Sequence, residues 1–234
     1  MSYQEIRGNI FSSKAKAIGN TVNCVGIMGK GIALEFRRRF PQMFLAYQKD
    51  CETKKLVPGR VYYYPTDNRL ILNITTKDNW KYPSKMEWVE SALEQLVKEY
   101  WQKEITSLAL PLLGAESGKL DVMSVKQSMR SYLENLSGID IEVYDFDPKA
   151  SDPLFEKLKI LSEMPNSEFK LIAMGFQPIK VNEIFQAIKN QKVTSLFMLS
   201  ETGLISNKLM DKLYKYLIQM ETELGNPKQL TMLD

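Results

Sequence analysis

Three short segments combine residue types and spacings that suit chemistry on a phosphorylated ligand. In GIMGKGIALEF, residues 26–36, glycines at 26, 29 and 31 precede a helical pattern. Without Cβ atoms the backbone can approach an anion closely, and the unpaired N–H groups of a helix N-terminus attract it. Such a turn suits a diphosphate. The spacing is GxxGxG, so it is neither the dinucleotide fingerprint GxGxxG nor a Walker loop, in which Ser or Thr follows the GK pair. On its own it reads more readily as an ordinary glycine turn. In LPLLGAESGKLD, residues 110–121, a buried strand runs into Gly114, Ala115, Glu116, Ser117 and Gly118 before the next helix. Ligands of open α/β sheets sit beyond the carboxyl ends of the strands. Two such loops, each opening a helix, could hold one diphosphate from both sides, although either alone is also a common strand-to-helix connection. The third segment, NITTKDNW at 73–80, places Lys77 at the end of an apolar strand. A lysine there is usually a solvent-directed charge. Pointed into a cleft, its pKa would be tuned by partial desolvation and neighbours, making it a nucleophile or an electrostatic catalyst.

The elements that must position these loops alternate between strand and helix signals. Strands are expected from Tyr3 towards Phe11, over 17–25, at 61–66 and 70–76 around the turn residues Asp67 and Asn68, at 107–113, and at 141–146. A helix from Ile32 to Phe40 is closed by Pro41. Ser84 and Glu87 read as a capping box ahead of Met86, Val89, Leu93, Leu96 and Tyr100 at helical spacing. Val122, Val125, Met129, Leu133 and Leu136 mark a further helical face. The alternation predicts an α/β layered fold. Composition changes between Pro148 and Pro153, and Asp152 followed by Pro153 reads as an N-cap with proline at the first helical position. The expected division is residues 1–149 and a small, mainly helical domain at 150–234, with helices near 153–163, 181–190 and 207–224 and Gly225 ending the last. In that last helix Leu209, Leu213, Leu217 and Met220 read as a core-facing stripe.

Composition excludes several chemistries. The chain has no histidine, which removes Ser-His-Asp and Cys-His triads and argues against a metal site. Proton transfer must use Asp, Glu, Lys, Tyr or water. Two cysteines, Cys24 and Cys51, cannot build a disulfide framework. The net charge of +3 is too small to argue for nucleic-acid binding, and the excess lies wholly in residues 1–150. Its densest cluster, Arg37-Arg38-Arg39, reads as a solvated helix face. No membrane span or signal peptide is visible, and a cytoplasmic setting is expected.

GNIF at 8–11 and NTVNCVGIMGKGIALEFRRRFP at 20–41 closely resemble a macrodomain, above all in the phrase NTVN-x-VG-x-MGKGIA-x-F. PGR at 58–60, Thr76-Lys77 and ALPLLG at 109–114 follow in the family's order. The likeness covers about residues 3–146 and is nearest to DarG-type DNA ADP-ribosyl glycohydrolase antitoxins and the related terminal ADP-ribose protein glycohydrolase. It implies a three-layer α/β/α fold with a mixed six-stranded sheet. Asn9, with Ile10, would lie near the adenine and Asn23 would bond the distal ribose. Met28, Gly29, Lys30, Gly31 and Ile32 would line the diphosphate and distal ribose. Leu113, Gly114, Ala115, Glu116, Ser117 and Gly118 would form the second phosphate loop, and Lys77 would serve glycosidic cleavage.

The second loop departs from the family. Related enzymes usually read GCGxGGL where this chain has GAESGKL, and Gly118 stands where the protein glycohydrolase carries a catalytic aspartate. That departure counts against catalysis more than against binding. The resemblance as a whole implies an ADP-ribosyl glycohydrolase acting on ADP-ribosylated DNA or protein without a cofactor, with a cognate ADP-ribosyltransferase toxin as a partner. The alternative is a non-catalytic reader of ADP-ribose or a related nucleotide.

Overall fold

The computed structural model describes residues 2–224, so the Gly225 cap lies outside the described residues. The chain divides into two compact units, Met1–Phe146 and Asp147–Asp234. In the first, six strands form one sheet: β1 (Tyr3–Gly8), β2 (Ala17–Val22), β3 (Val61–Pro65), β4 (Leu70–Thr75), β5 (Ser107–Pro111) and β6 (Asp140–Phe146). Their spatial order is β1-β6-β5-β2-β4-β3. All neighbours pair in parallel except β3, which runs antiparallel to β4 at one edge. The mixed six-stranded sheet expected from the sequence is what forms.

Strand periodicity assigns the two faces. Leu72, Ile74, Leu108, Leu110, Ile141 and Val143 share one core with α3 (Met86–Glu99) and α4 (Val122–Leu133). Ile18, Ile71, Ala109 and Tyr144 face the other way, toward α1 (Gly31–Arg39) and α2 (Pro41–Glu52). Because both faces are covered, the central strands read as continuous apolar runs.

Four local readings change. Pro41 ends α1 but also occupies the first position of α2, which buries Met43, Tyr47 and Cys51 at intervals of four. The Ser84–Glu87 box does not form. Lys85 is the N-cap residue, and Ser84 is buried with its hydroxyl unpartnered among the described residues. Val122 is exposed, so the buried stripe of α4 begins at Val125. The arginine run is not a solvated face. Arg38 and Arg39 lie 3.8 and 3.4 Å from Glu35 carboxylate oxygens, and the Arg39 guanidinium sits 4.1 Å over the Phe11 ring.

The second unit is helical: α5 (Pro153–Glu163), α6 (Ser167–Ala173), α7 (Pro178–Lys189), α8 (Leu196–Glu201) and α9 (Asn207–Leu224). Asp152 caps α5 by accepting from the N–H groups of Leu154 and Phe155. Leu213 and Leu217 enter its core with Met210 and Tyr214, while Leu209 and Met220 pack at the margin. Among the described residues no helix is long and apolar enough to cross a membrane.

Candidate functional site

Strands β4, β2 and β5 are parallel neighbours, so their carboxyl ends open at one edge of the sheet. From β2 the chain enters the first loop, which Asn23 organises. Its Nδ2 donates to the Ile27 carbonyl at 2.6 Å, and its Oδ1 accepts from Val25 N at 3.0 Å. The Tyr47 hydroxyl, reaching up from α2, donates to the Asn23 carbonyl at 2.8 Å. Gly31 opens α1 with φ +59°, and Lys30 before it makes no side-chain cap. The N–H groups from Gly29 to Ala33 have no hydrogen-bond partner among the described residues. They form a donor surface with the positive end of the helix dipole behind it.

The second loop leaves β5 through Gly114, at φ +74°. Its ends are clamped by a bond from Leu120 N to the Gly114 carbonyl at 3.1 Å and one from Ser84 N to the Gly118 carbonyl at 2.9 Å. The N–H groups of Glu116, Ser117 and Gly118 have no partner among the described residues. Three such donors in succession suit anion binding. The donors are the loop's own, contrary to the expectation that both loops would use helix ends. The N-terminus of α4 is taken by Asp121, whose carboxylate accepts from Ser124 N at 2.8 Å. Gly118 could not carry the related enzyme's aspartate in this backbone, because a Cβ would lie 2.1 Å from the Gly114 carbonyl oxygen and 2.4 Å from Ser84 Oγ.

The loops meet. A Cβ placed on Gly31 would touch Ser117 Oγ at 3.5 Å. Lys77, leaving β4, donates from Nζ to the Ser117 carbonyl at 2.5 Å. Surrounding protein pushes the Lys77 pKa below the ordinary lysine value, and the like charge of Lys119 lowers it further. Glu116 is exposed as a residue, yet the protein around its carboxyl raises the pKa, with Asp145 adding to the rise. The half-buried Cys24 thiol is pushed up to about 12 by desolvation and Asp78, which keeps it protonated and a poor nucleophile. No group of three or more Cys, Asp or Glu residues placed to hold a metal occurs among the described residues.

Of the residues expected at a ligand, Gly29, Lys30, Glu116 and Ser117 are exposed, and Gly31 and Lys77 are half-buried. Ile10, Met28 and Leu113 turn their side chains into the core, leaving backbone as what they can offer; Ile32 is partly buried against that core and Ala115 is buried. Asn9 is buried and caps a short turn by accepting from Phe11 N at 3.1 Å. In Asn23 both ends of the amide are engaged within the loop, so the second N–H of Nδ2 is what it can lend. Sequence reasoning missed Tyr47 and Ser84, which brace the first and second loops. Tyr47 could have been found from the four-residue spacing of Met43, Tyr47 and Cys51; Ser84 was absorbed into a cap that does not form.

The Macro domain family model matches residues 19–129. A DNA ADP-ribosyl glycohydrolase of Thermus aquaticus is 42% identical over 151 residues, which cover 62% of this chain and 42% of that protein. The solved macrodomain of Thermus aquaticus DarG superposes with a TM-score of 0.58 at 41% identity, covering 61% of this chain and 97% of the solved one. Thermosipho africanus DarTG, solved in complex with ADP-ribose, gives a TM-score of 0.58 at 30% identity over 66% of this chain and 44% of that structure. The chain spans about two fifths of the length of the curated relatives it matches.

Proposed function

The chain belongs to the macrodomain family, and from that premise we propose that it binds ADP-ribose at the carboxyl ends of β4, β2 and β5 and hydrolyses the bond joining ADP-ribose to modified DNA. The observation carrying this reading is the convergence of three loops, with the Lys77 amine resting on the Ser117 carbonyl and Gly31 against Ser117. The diphosphate lies between the N–H donors of Gly29–Ala33 and those of Glu116–Gly118. Fixed donors that need no reorganisation hold an anion well and keep the distal ribose in place. DNA is favoured as the modified polymer by the likeness to DNA ADP-ribosyl glycohydrolases. An ADP-ribosyltransferase that modifies DNA is then the enzyme whose product this chain consumes, and its cognate partner. The reaction as proposed uses no cofactor; ADP-ribose is its product.

Cleavage builds oxocarbenium character at C1″ of the distal ribose. Lys77 is the group beside that carbon, and it acts in one of two ways. As a neutral amine it bonds to C1″ as the bond to the base breaks, the base leaving with its electron pair and a proton, and water then releases ADP-ribose from the amine. As an ammonium it polarises the linkage while water attacks C1″. The two roles give opposite pH limbs. A nucleophilic amine must be neutral, so kcat rises as pH climbs through the Lys77 pKa. An ammonium must be charged, so kcat falls there. In the free enzyme, whose titration the same limb of kcat/KM reports, desolvation and Lys119 hold that pKa below the ordinary lysine value.

Release of ADP-ribose from thymidine-linked and glutamate-linked substrates tests the proposal. Lys77→Ala should lower kcat at least about a hundredfold and leave ADP-ribose affinity within about threefold, as expected of a group acting on the transition state. Borohydride during turnover should trap ADP-ribose on Lys77 only if the amine attacks. Wild-type turnover by the alanine variant would make Lys77 a strand-end charge. Absence of release from either linkage by the wild type, with ADP-ribose still bound, would leave a reader. The substitution of Glu116 for a glycine of the family's loop, with Ala115 in place of its cysteine, is what favours that second reading.

A further inference from the structure

The segment that follows Lys77 carries features the hydrolytic cleft does not use. Residues 78–85 read DNWKYPSK, with Lys81 and Lys85 against Asp78, and Lys85 lies 3.3 Å from a Glu87 carboxylate oxygen. Trp80 and Tyr82 are large aromatic side chains left 51% and 66% exposed. Single exposed aromatics, such as Trp101, are ordinary, but two of them within three residues form a patch suited to contact.

This segment is fastened to both glycine loops. Lys77 Nζ donates to the Ser117 carbonyl at 2.5 Å, the Asp78 carbonyl accepts from Cys24 N at 2.9 Å, and Ser84 N donates to the Gly118 carbonyl at 2.9 Å. Between those anchors the chain is folded by Asn79, whose Oδ1 accepts from Lys81 N at 3.1 Å and whose carbonyl accepts from Tyr82 N at 3.2 Å. Trp80 and Tyr82 are therefore held at the rim of the cleft, with the Lys81 ammonium 5.6 Å from the Trp80 ring centroid.

We propose that Trp80, Lys81 and Tyr82 form a platform for single-stranded nucleic acid, on which bases next to the ADP-ribosylated nucleotide stack while the Lys81 ammonium meets a phosphate. The occupant follows from the chemistry of the surface. Flat aromatic faces with a cation between them match the alternation of bases and phosphates along a strand. Bases paired in a duplex are already stacked on one another and cannot use such faces. An acidic peptide would satisfy Lys81 but give the two rings no planar partners. The inference rests on the hydrolase reading above for the identity of the modified nucleotide, and on the exposed segment for the rest.

Two substrates separate the two readings: a short single-stranded oligonucleotide bearing one ADP-ribosylated base, and the same ADP-ribosylated nucleoside alone. In the full chain, Trp80→Ala and Tyr82→Ala should each lower kcat/KM on the oligonucleotide by about tenfold, chiefly through KM, while turnover of the nucleoside stays within about twofold. Trp80→Phe keeps a stacking face and should recover most of the loss. Lys81→Gln should flatten the salt dependence on the oligonucleotide only. Affinity for an unmodified single strand, read by fluorescence anisotropy, should fall in parallel and requires no turnover.

If the alanine variants keep both the wild-type oligonucleotide-to-nucleoside ratio and the wild-type strand affinity, the platform is overturned while the hydrolase reading stands. The platform is likewise overturned if they slow both substrates equally, because the segment then acts on the cleft. If the wild type cleaves neither substrate but binds a single strand through Trp80, the hydrolase reading falls and the platform survives.

Discussion

Gly29 and Gly118 belong to two strand-end loops that meet at one cleft, yet they are glycines for opposite reasons. A Cβ on Gly29 would find only Ile27 Cγ2, at 3.7 Å, and its φ is not in the left-handed region. The protein's own packing does not require glycine there; the proposed diphosphate does. A Cβ on Gly118 would fall 2.1 Å from the Gly114 carbonyl oxygen and 2.4 Å from Ser84 Oγ. That loop needs glycine to close on itself. On the proposed placement the first loop keeps ligand space, while the second keeps its own shape, from which its run of N–H donors follows.

The sharpest break between them comes from Gly118→Ala. The nearest atoms are backbone and a short side chain, so the loop itself must move. The variant should lower the melting midpoint of the first unit by roughly 10 °C, equivalent to about 3 kcal/mol, and should lose ADP-ribose binding with it. An unchanged midpoint would mean that the second loop tolerates a side chain, and the contrast would collapse.

A smaller effect on the fold, but a clean one on the ligand, is expected from Gly29→Val. The branched side chain meets open space, so the melting midpoint should stay within about 2 °C. It would stand where the diphosphate is proposed to lie, and calorimetric affinity for ADP-ribose should fall at least about a hundredfold, some 2.7 kcal/mol. Unchanged affinity would move the diphosphate away from the first loop.

The two loops also differ in how much of them the sequence discloses. The strands that carry them were legible because apolar runs such as LILNIT and SLALP can only be buried on both faces. The helix after Pro41 was not, because a proline that stops one helix can start the next. In the first loop, glycine count and the family phrase mark a phosphate turn, yet neither reveals that the Asn23 amide is occupied in folding it, or that Met28 is there for the core. In the second, Ser84 looked like a cap because a local pattern cannot show a hydroxyl lying under a loop thirty residues away. The bond between Lys77 and Ser117 depends on β4, β2 and β5 lying side by side, which is a property of strand order and not of any window. The arginine run failed for a mixed reason: Glu35 meets Arg38 and Arg39 within α1 itself, whereas the Phe11 ring under Arg39 and the Phe44 ring under Arg37 come into place only when other elements pack against α1.

The smallest expected effect tests whether Glu116 is a cost carried by the second loop. Its carboxyl shares a short segment with the N–H groups proposed to hold a diphosphate, and surrounding protein with Asp145 raises its pKa. An ionised carboxylate there repels the ligand, so wild-type affinity for ADP-ribose should increase as pH falls through that raised pKa. By linkage, bound diphosphate raises the pKa again, and the protein takes up protons on binding. Glu116→Gln removes the charge and keeps the shape. Its affinity at neutral pH should be about threefold tighter, a modest gain because the residue is exposed and its field is screened. The pH dependence and the proton uptake should both vanish, which calorimetry in buffers of different ionisation enthalpy reads directly. Should Glu116→Gln bind more weakly instead, the carboxylate faces a ribose hydroxyl as an acceptor. The second loop would then contribute a side chain to the ligand as well as a backbone, and its difference from the first loop would lie in chemistry as much as in packing.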